Sequence, residues 1–207
     1  MIAGLIGLLV VLAIVVKANP ESDIDRIPLD WIRGREIAGL NAYFTGVSAI
    51  TDARPRLAIS AGLVLVLAAG GRRRDAVAVT LIAIIVGFAG LWIDTALGDL
   101  VERGRPIPEP TAPSFPSGHT YGSILLFGFT GFLLHRIYRR RTVVWPLLAM
   151  LALFTISVGA SRIFLSAHWP SDVVGGGLLG VALLIVMIRL YAPCERVVRG
   201  LSTRLAR

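Results

Sequence analysis

Two short stretches of the chain hold side chains able to share nucleophilic and acid–base chemistry. The first, Asp99–His119, ends in Pro116-Ser117-Gly118-His119 just before an apolar run. The second, Ser161–Asp172, carries Arg162, His168 and Asp172, with Trp169-Pro170 between the last two. Pro170 suits the first position of a helix, so Asp172 falls in that helix's first turn and can reach back to the imidazole. A carboxylate on one ring nitrogen fixes the tautomer and leaves the other nitrogen free as a nucleophile. A second imidazole, His119, can divide nucleophile and acid duties with His168. Ser117 can cap the following helix, Gly118 lets a ligand approach the backbone, and free N–H groups at a helix start favour an anion. Arg105 and Arg162 bring guanidinium forks that bind phosphate oxygens bidentately. Alone, the first stretch also reads as a capped helix start with an incidental histidine, and the second as a capping Asp with a surface His. Together they suit phosphoryl chemistry.

The elements that must position these residues are apolar. The 207 residues point to one domain, and 55% are hydrophobic before the 22 glycines are counted. Charged residues make up 16%, against about 25% in an ordinary soluble domain. These figures exclude a disordered chain, a collagen-like fibre and a typical cytosolic domain, and the lone cysteine, Cys194, excludes a disulfide framework. Six runs, Ile2–Val16, Leu57–Gly71, Ala76–Ile93, Tyr121–Leu134, Thr142–Ala160 and Val173–Ile188, contain no Asp, Glu, Lys or Arg. A membrane-spanning helix needs about 20 residues, so neighbouring residues must complete the shorter runs or those helices must tilt. Pro146 should bend the fifth run or mark its first turn.

The net charge of +8 raises the question of nucleic acid, and its distribution argues against it. With six spans and the amino terminus inside, the inner loops and tail hold 12 cations and two acids, including Arg72, Arg73, Arg74, Arg136, Arg139, Arg140, Arg141, Arg204 and Arg207. The outer segments hold 9 cations and 11 acids. The basic excess on one side follows the positive-inside rule. The outer connection, Lys17–Pro55, mixes charge with apolar residues such as Ile24, Ile27, Trp31 and Ile37, as an interfacial amphipathic helix would. The expectation is an all-α integral membrane bundle of six transmembrane helices with both termini cytoplasmic. It forms a single domain, 1–207, with spans near 2–16, 57–71, 76–93, 121–138, 142–160 and 173–191 and site loops at 94–120 and 161–172. Pro106, Pro108, Pro110, Pro113 and Pro116 stiffen the first of those loops. His119 and His168 are then separated by one span in, a basic hairpin and one span back, so both return to one membrane face. Asp94, at the end of the third span, reads as an interfacial acid.

These residues make the chain resemble the type 2 phosphatidic acid phosphatase superfamily of membrane lipid phosphate phosphatases. That family's signature is Lys-x6-Arg-Pro, then Pro-Ser-Gly-His, then Ser-Arg-x5-His-x3-Asp. The second element is Pro116–His119 and the third is Ser161-Arg162, His168 and Asp172. Of the first, Arg105-Pro106 is present, but the lysine position is Gly98. The resemblance runs from Ile2 to about Tyr191. It implies that His168 attacks phosphorus, Asp172 orients His168, and His119 protonates the leaving oxygen and then activates water. It further implies that Arg105, Arg162, Ser117 and the Gly118 amide hold the phosphate oxygens, with no metal and no cofactor. Arg103 is the candidate to replace the missing lysine as an additional phosphate contact, because i and i+2 point the same way on an extended segment.

The expected activity is hydrolysis of a lipid phosphate or diphosphate of the polyprenyl diphosphate, phosphatidic acid or phosphatidylglycerol phosphate type. The partners are the lipid substrate and the bilayer, without nucleic acid. The expected place is the cell inner (plasma) membrane, multi-pass, with the site on the extracytoplasmic face. Two alternatives stand beside it. One is a lipid phosphotransferase using the same histidine, and the other is a non-catalytic lipid-binding relative, given Gly98. Neither the lipid nor the oligomeric state is specified by these residues.

Overall fold

The apolar runs are helical, since a segment that cannot share its backbone polar groups with water closes them on itself. The computed structural model of the chain describes residues 1–33, 39–107, 113–138 and 140–205, with 202–205 as backbone alone. Ile37, Pro108, Pro110, Arg139 and Arg207 lie outside the described residues, as does the side chain of Arg204. The helices are α1 (Ile2–Ala18), α2 (Asp23–Arg33), α3 (Leu40–Ile50), α4 (Ala53–Ala69), α5 (Arg73–Val101), α6 (Gly118–Ser123), α7 (Phe129–Ile137), α8 (Arg141–Phe164) and α9 (Pro170–Leu205). A π-helical turn, Ile124–Gly128, joins α6 to α7. Among the described residues there is no strand, so the architecture is all-α as expected.

Three helices are long and apolar enough to cross a bilayer: α5, α8 and the Pro170–Leu201 part of α9. Helices α1 and α4 have 17 residues each, at the lower end of the about 17–25 that a span needs. The lipid-type faces of α5 and α8 stay bare: Phe88, Trp92, Leu153 and Ile156 are all more than half exposed. So much exposed apolar surface is what a bilayer covers, and the chain is a multi-pass membrane protein.

The inner face of α9 carries Leu179, Leu183, Met187 and Tyr191, four residues apart, packed against Leu9, Ala13 and Val16 of α1 and Val79, Ile82 and Val86 of α5. Polar contacts mark the two ends. At one end the Tyr191 hydroxyl donates to Asp75 at 2.7 Å, and Arg136 pairs with Glu195 at 3.0 Å. At the other, Lys17 donates to the carbonyl of Leu100, joining the ends of α1 and α5.

Two boundaries depart from expectation. Helix α5 runs past the apolar stretch to Val101, so of the loop expected over 94–120 only 102–117 lies between helices. The apolar count ends the helix too early because Asp94 and Asp99 face a cavity rather than lipid. Helix α8 continues through Pro146 and on to Phe164, leaving 165–169 between α8 and α9. Among its described residues, the Lys17–Pro55 connection contains α2 and α3. Of these, α2 is bent 77° away from α1 and has three faces. Asp25 and Leu29 are buried, Ile24, Ile27 and Trp31 are exposed and apolar, and Asp23, Arg26, Asp30 and Arg33 form an exposed charged strip.

Candidate active site

His168 sits on a tight turn between α8 and α9. The carbonyl of Arg162 accepts the N–H groups of both Ala167 and His168, at 3.0 and 3.1 Å, and Ser166 takes a left-handed φ of +53° to close the turn. Pro170 then starts α9, as its fixed φ allows. The buried ring places Nδ1 2.8 Å from the carbonyl oxygen of Ser114. A carbonyl can only accept, so Nδ1 carries the proton and the neutral ring keeps a lone pair on Nε2.

Asp172 lies beside this imidazole, its Oδ2 3.6 Å from Nδ1, too far for a hydrogen bond. The contact expected from sequence is therefore indirect. The fully buried carboxylate accepts the Trp169 N–H at 2.9 Å, the Ser114 hydroxyl, and an Arg103 N–H at 2.8 Å. It fixes the turn that carries His168 and the loop whose carbonyl the ring addresses.

That loop is drawn onto α9. Ser114 N–H donates to the Arg103 carbonyl at 2.8 Å, and Ser117 N–H to the Asp172 carbonyl at 3.0 Å. Gly175 and Gly176 permit the approach: a Cβ at the first would stand 2.5 Å from the Phe115 ring, and at the second 2.6 Å from the Ser117 carbonyl oxygen. Ser117 occupies the N-cap position of α6, but its hydroxyl accepts from Thr120 at 3.0 Å instead of capping.

His119, in the first turn of α6, faces His168 across a cavity of about 280 Å³ that is also lined by Arg105, Gly118, Asp94 and Asp99. Asp94 thus belongs to the cavity wall rather than to the lipid interface. His119 Nε2 lies 2.8 Å from Oδ1 of Asp52, the residue that precedes α4. Arg162 and Ser117 are buried and do not themselves line the cavity; Arg162 donates to the hydroxyl of Ser48 on α3. Burial, reinforced by Arg162, pulls His119 from the ordinary 6.5 down to about 4, against the opposing pull of Asp52. Burial also holds His168 below 6.5, opposed by Asp172 and reinforced by Arg162 and Arg105. Both rings are neutral in the free protein at pH 7. Among the described residues no group of three or more His, Cys, Asp or Glu side chains is gathered as a metal centre would be.

Arg103 departs from its expected place. It does not line the cavity, and all five of its N–H donors are taken by Asp172, Ser171, Asp25 and the Pro20 carbonyl. The segment after α5 turns this guanidinium towards α2 rather than into the cavity. Gly98, at the position of the signature lysine, is buried under the loop, where a Cβ would stand 2.8 Å from Cγ of Pro113.

Residues 94–196, about half of the chain, match the family model of the PAP2 superfamily. The chain belongs to the PAP2 superfamily. It is 33% identical over 110 residues to undecaprenyl-diphosphatase BcrC of Bacillus subtilis, covering 49% of this chain and 51% of that protein. It is 27% identical over 103 residues to phosphatidylglycerophosphatase B of the same organism, covering 46% and 49%. The chain thus spans about half the length of these curated relatives. Its fold matches the crystal structure of a transmembrane PAP2 type phosphatidylglycerolphosphate phosphatase from Bacillus subtilis with a TM-score of 0.75 and 22% identity, over 90% of this chain and 93% of that one.

Several residues around this PAP2 site escape the sequence reading. Ser114 lies two residues before the Pro-Ser-Gly-His element, and its role rests on a backbone carbonyl, which no residue type reveals. Asp25, Ser48, Asp52 and Arg56 come from α2, α3 and the start of α4, outside the matched residues. Arg56 donates to the Gly118 carbonyl at 3.2 Å, and its charge acts on His119. An isolated acidic or basic residue on such a helix has no local pattern that separates it from a solvated charge.

Proposed function

We propose that this protein is an integral membrane phosphatase that hydrolyses a lipid phosphate or diphosphate through a phosphohistidine. The observation that carries this reading is a pair of imidazoles, His119 and His168, facing one cavity beside Arg105. His168 Nε2 attacks phosphorus while the bond to the leaving oxygen breaks. His119 donates a proton to that oxygen. His119 then takes a proton from water, the water oxygen attacks phosphorus, and the P–Nε2 bond breaks to release phosphate. Arg105, Arg162, Ser117 and the Gly118 amide stabilise the negative oxygens in both steps. Preorganised donors of this kind are worth about 3–4 kcal/mol each. Arginine charge carries the electrostatic work, so the reaction is metal-independent and needs no cofactor.

The substrate is a membrane lipid of the polyprenyl diphosphate, phosphatidic acid or phosphatidylglycerol phosphate type, a range supported by the names of the relatives. The bundle crosses the membrane six times in a single domain, with both termini cytoplasmic and the site on the extracytoplasmic face of the inner (plasma) membrane. The sorting of basic residues supports that orientation. The test is phosphate release from a panel of these lipids in detergent with chelator present, using His168→Ala as control. Release that survives chelation and vanishes in the variant is expected. Chelator-sensitive release, or release by the variant, rejects the reading.

A further inference from the structure

Behind the reacting pair lies a buried line of charge, Asp25–Arg103–Asp172. Arg103 Nη2 is 2.6 Å from Asp25 Oδ2, and Nη1 is 2.8 Å from Asp172 Oδ1, with all three side chains at most 2% exposed. Asp25 also accepts the Ser171 N–H at 2.8 Å and the Ser171 hydroxyl at 2.7 Å. One carboxylate of α2 thus holds both the guanidinium that binds Asp172 and the residue next to Asp172 in α9. The Arg103 guanidinium lies over the Trp169 ring, 4.9 Å from its centroid, and Trp169 Nε1–H donates to the Gly104 carbonyl at 2.9 Å. At the other end of α2, Arg33 donates to the Ser166 hydroxyl at 3.0 Å and to the Pro106 carbonyl at 3.2 Å. Helix α2 therefore grips both loops that carry the reacting residues.

Removing one partner of a buried ion pair leaves an uncompensated charge, so each member of this trio depends on the others. Its net charge also bears on His168. An Arg103–Asp172 pair alone would be neutral, and the guanidinium would cancel the negative field that a positively charged His168 ring needs. A second carboxylate on the far side leaves the trio at a net −1. The ring develops positive charge when its Nε2 bonds phosphorus, and a net negative group behind it favours that state.

We infer that Asp25 is a positioning residue for the reaction: through Arg103 it fixes the Asp172 carboxylate and keeps a net negative charge behind His168. This rests on the phosphatase reading above. It makes α2, outside the family-matched residues, part of the catalytic apparatus. The charges facing His168 are Asp172 at the start of α9, Arg162 from α8 and Arg105 from the loop after α5, with His119 of α6 across the cavity and Arg103 behind Asp172.

The test compares Asp25→Asn, Arg103→Gln and the double variant with the parent, each purified in detergent and checked by thermal unfolding. Turnover, its pH profile and the titration of the His168 ring by ¹⁵N NMR are measured. Asp25→Asn is expected to lower kcat by about 10-fold to 100-fold, the scale on which groups behind a reacting side chain act, with KM changed less than about threefold. It should also move the His168 titration to lower pH, because a negative charge has been removed. On the Arg103→Gln background the same substitution should cost little more, since residues acting through one network are non-additive. An unchanged kcat and an unchanged His168 titration, or a loss fully additive with that of Arg103→Gln, would overturn the inference. If the parent protein released no phosphate, the phosphatase reading would fail, and the NMR titration would still decide whether Asp25 acts on His168.

Discussion

The Nδ1–H of His168 donates to the carbonyl oxygen of Ser114 at 2.8 Å, while the Asp172 carboxylate stands off at 3.6 Å. The tautomer is thereby set by a main-chain acceptor, and the carboxylate sets where that acceptor lies, through the Ser114 hydroxyl. The lone pair on Nε2 has one consequence that can be read directly. Phosphate captured on the protein by rapid denaturation after mixing with labelled lipid should sit on Nε2 of His168. Peptide mapping with NMR of the phospho-imidazole distinguishes the isomers. Phosphate on Nδ1, or on His119, would contradict the assignment.

In the proposed mechanism His119 acts as an acid, yet burial and Arg162 bring it to about 4 in the free protein. A phosphate oxyanion in the cavity adds negative charge beside the ring and favours the imidazolium, so the ring must titrate at higher pH when the site is filled. The sign follows: between the two values, filling the site takes up a proton. A ¹⁵N NMR titration, with His119→Ala to assign the signal, should show the ring neutral at pH 6 without ligand and shifted towards the protonated form with bound orthovanadate. A free ring that titrates at or above 6.5 would remove the basis for this coupling.

Asp52 holds His119 Nε2 at 2.8 Å, but its side chain is 57% exposed. Exposed pairs are worth roughly 0.2–1 kcal/mol, so Asp52→Asn should lower kcat by about fivefold at most. The same change should move the His119 titration to still lower pH, because Asp52 pulls it upward. Steady-state kinetics with the NMR titration check both. A loss of a hundredfold or more would place Asp52 in the proton transfer itself.

The contrast between these carboxylates marks how much of the molecule its sequence reveals. Apolar runs free of charge are a long-range signal, and they located the cores of the helices. The Arg105, Ser117, Gly118, His119, Arg162, His168 and Asp172 pattern lies on two stretches, and span counting is what suggests from sequence that they meet. Asp25 and Asp52 carry no such pattern: the first lies on the short helix α2 and the second just before α4, and only tertiary contact with Arg103 or His119 separates them from surface charge. Arg103 shows the opposite failure. Its spacing from Arg105 suggests a shared direction, but the segment turns it towards α2. The boundary at Ile93 fails for a related reason, since a cavity-facing acid such as Asp94 can extend a helix that a lipid-facing one would end.

Gly98 offers the sharpest check on how the missing lysine is accommodated. Its Cα lies under Pro113, and an added Cβ would be 2.8 Å from Cγ of that ring. The proline precedes Ser114, whose carbonyl accepts from the His168 ring and whose hydroxyl meets Asp172. Pushing the loop outward therefore disturbs the imidazole as well as the packing. Overpacking of this kind costs about 1–3 kcal/mol, so Gly98→Ala should lower Tm in detergent and reduce kcat at the same time. Gly98→Lys restores the signature residue in name but has to displace the same loop, and should be less active than the parent by about tenfold or more, since small displacements of reacting groups are costly. Thermal unfolding together with turnover on the preferred lipid separates the outcomes. A Gly98→Lys variant with the parent's Tm and a higher kcat would mean that the loop yields easily and that the site lacks a cation.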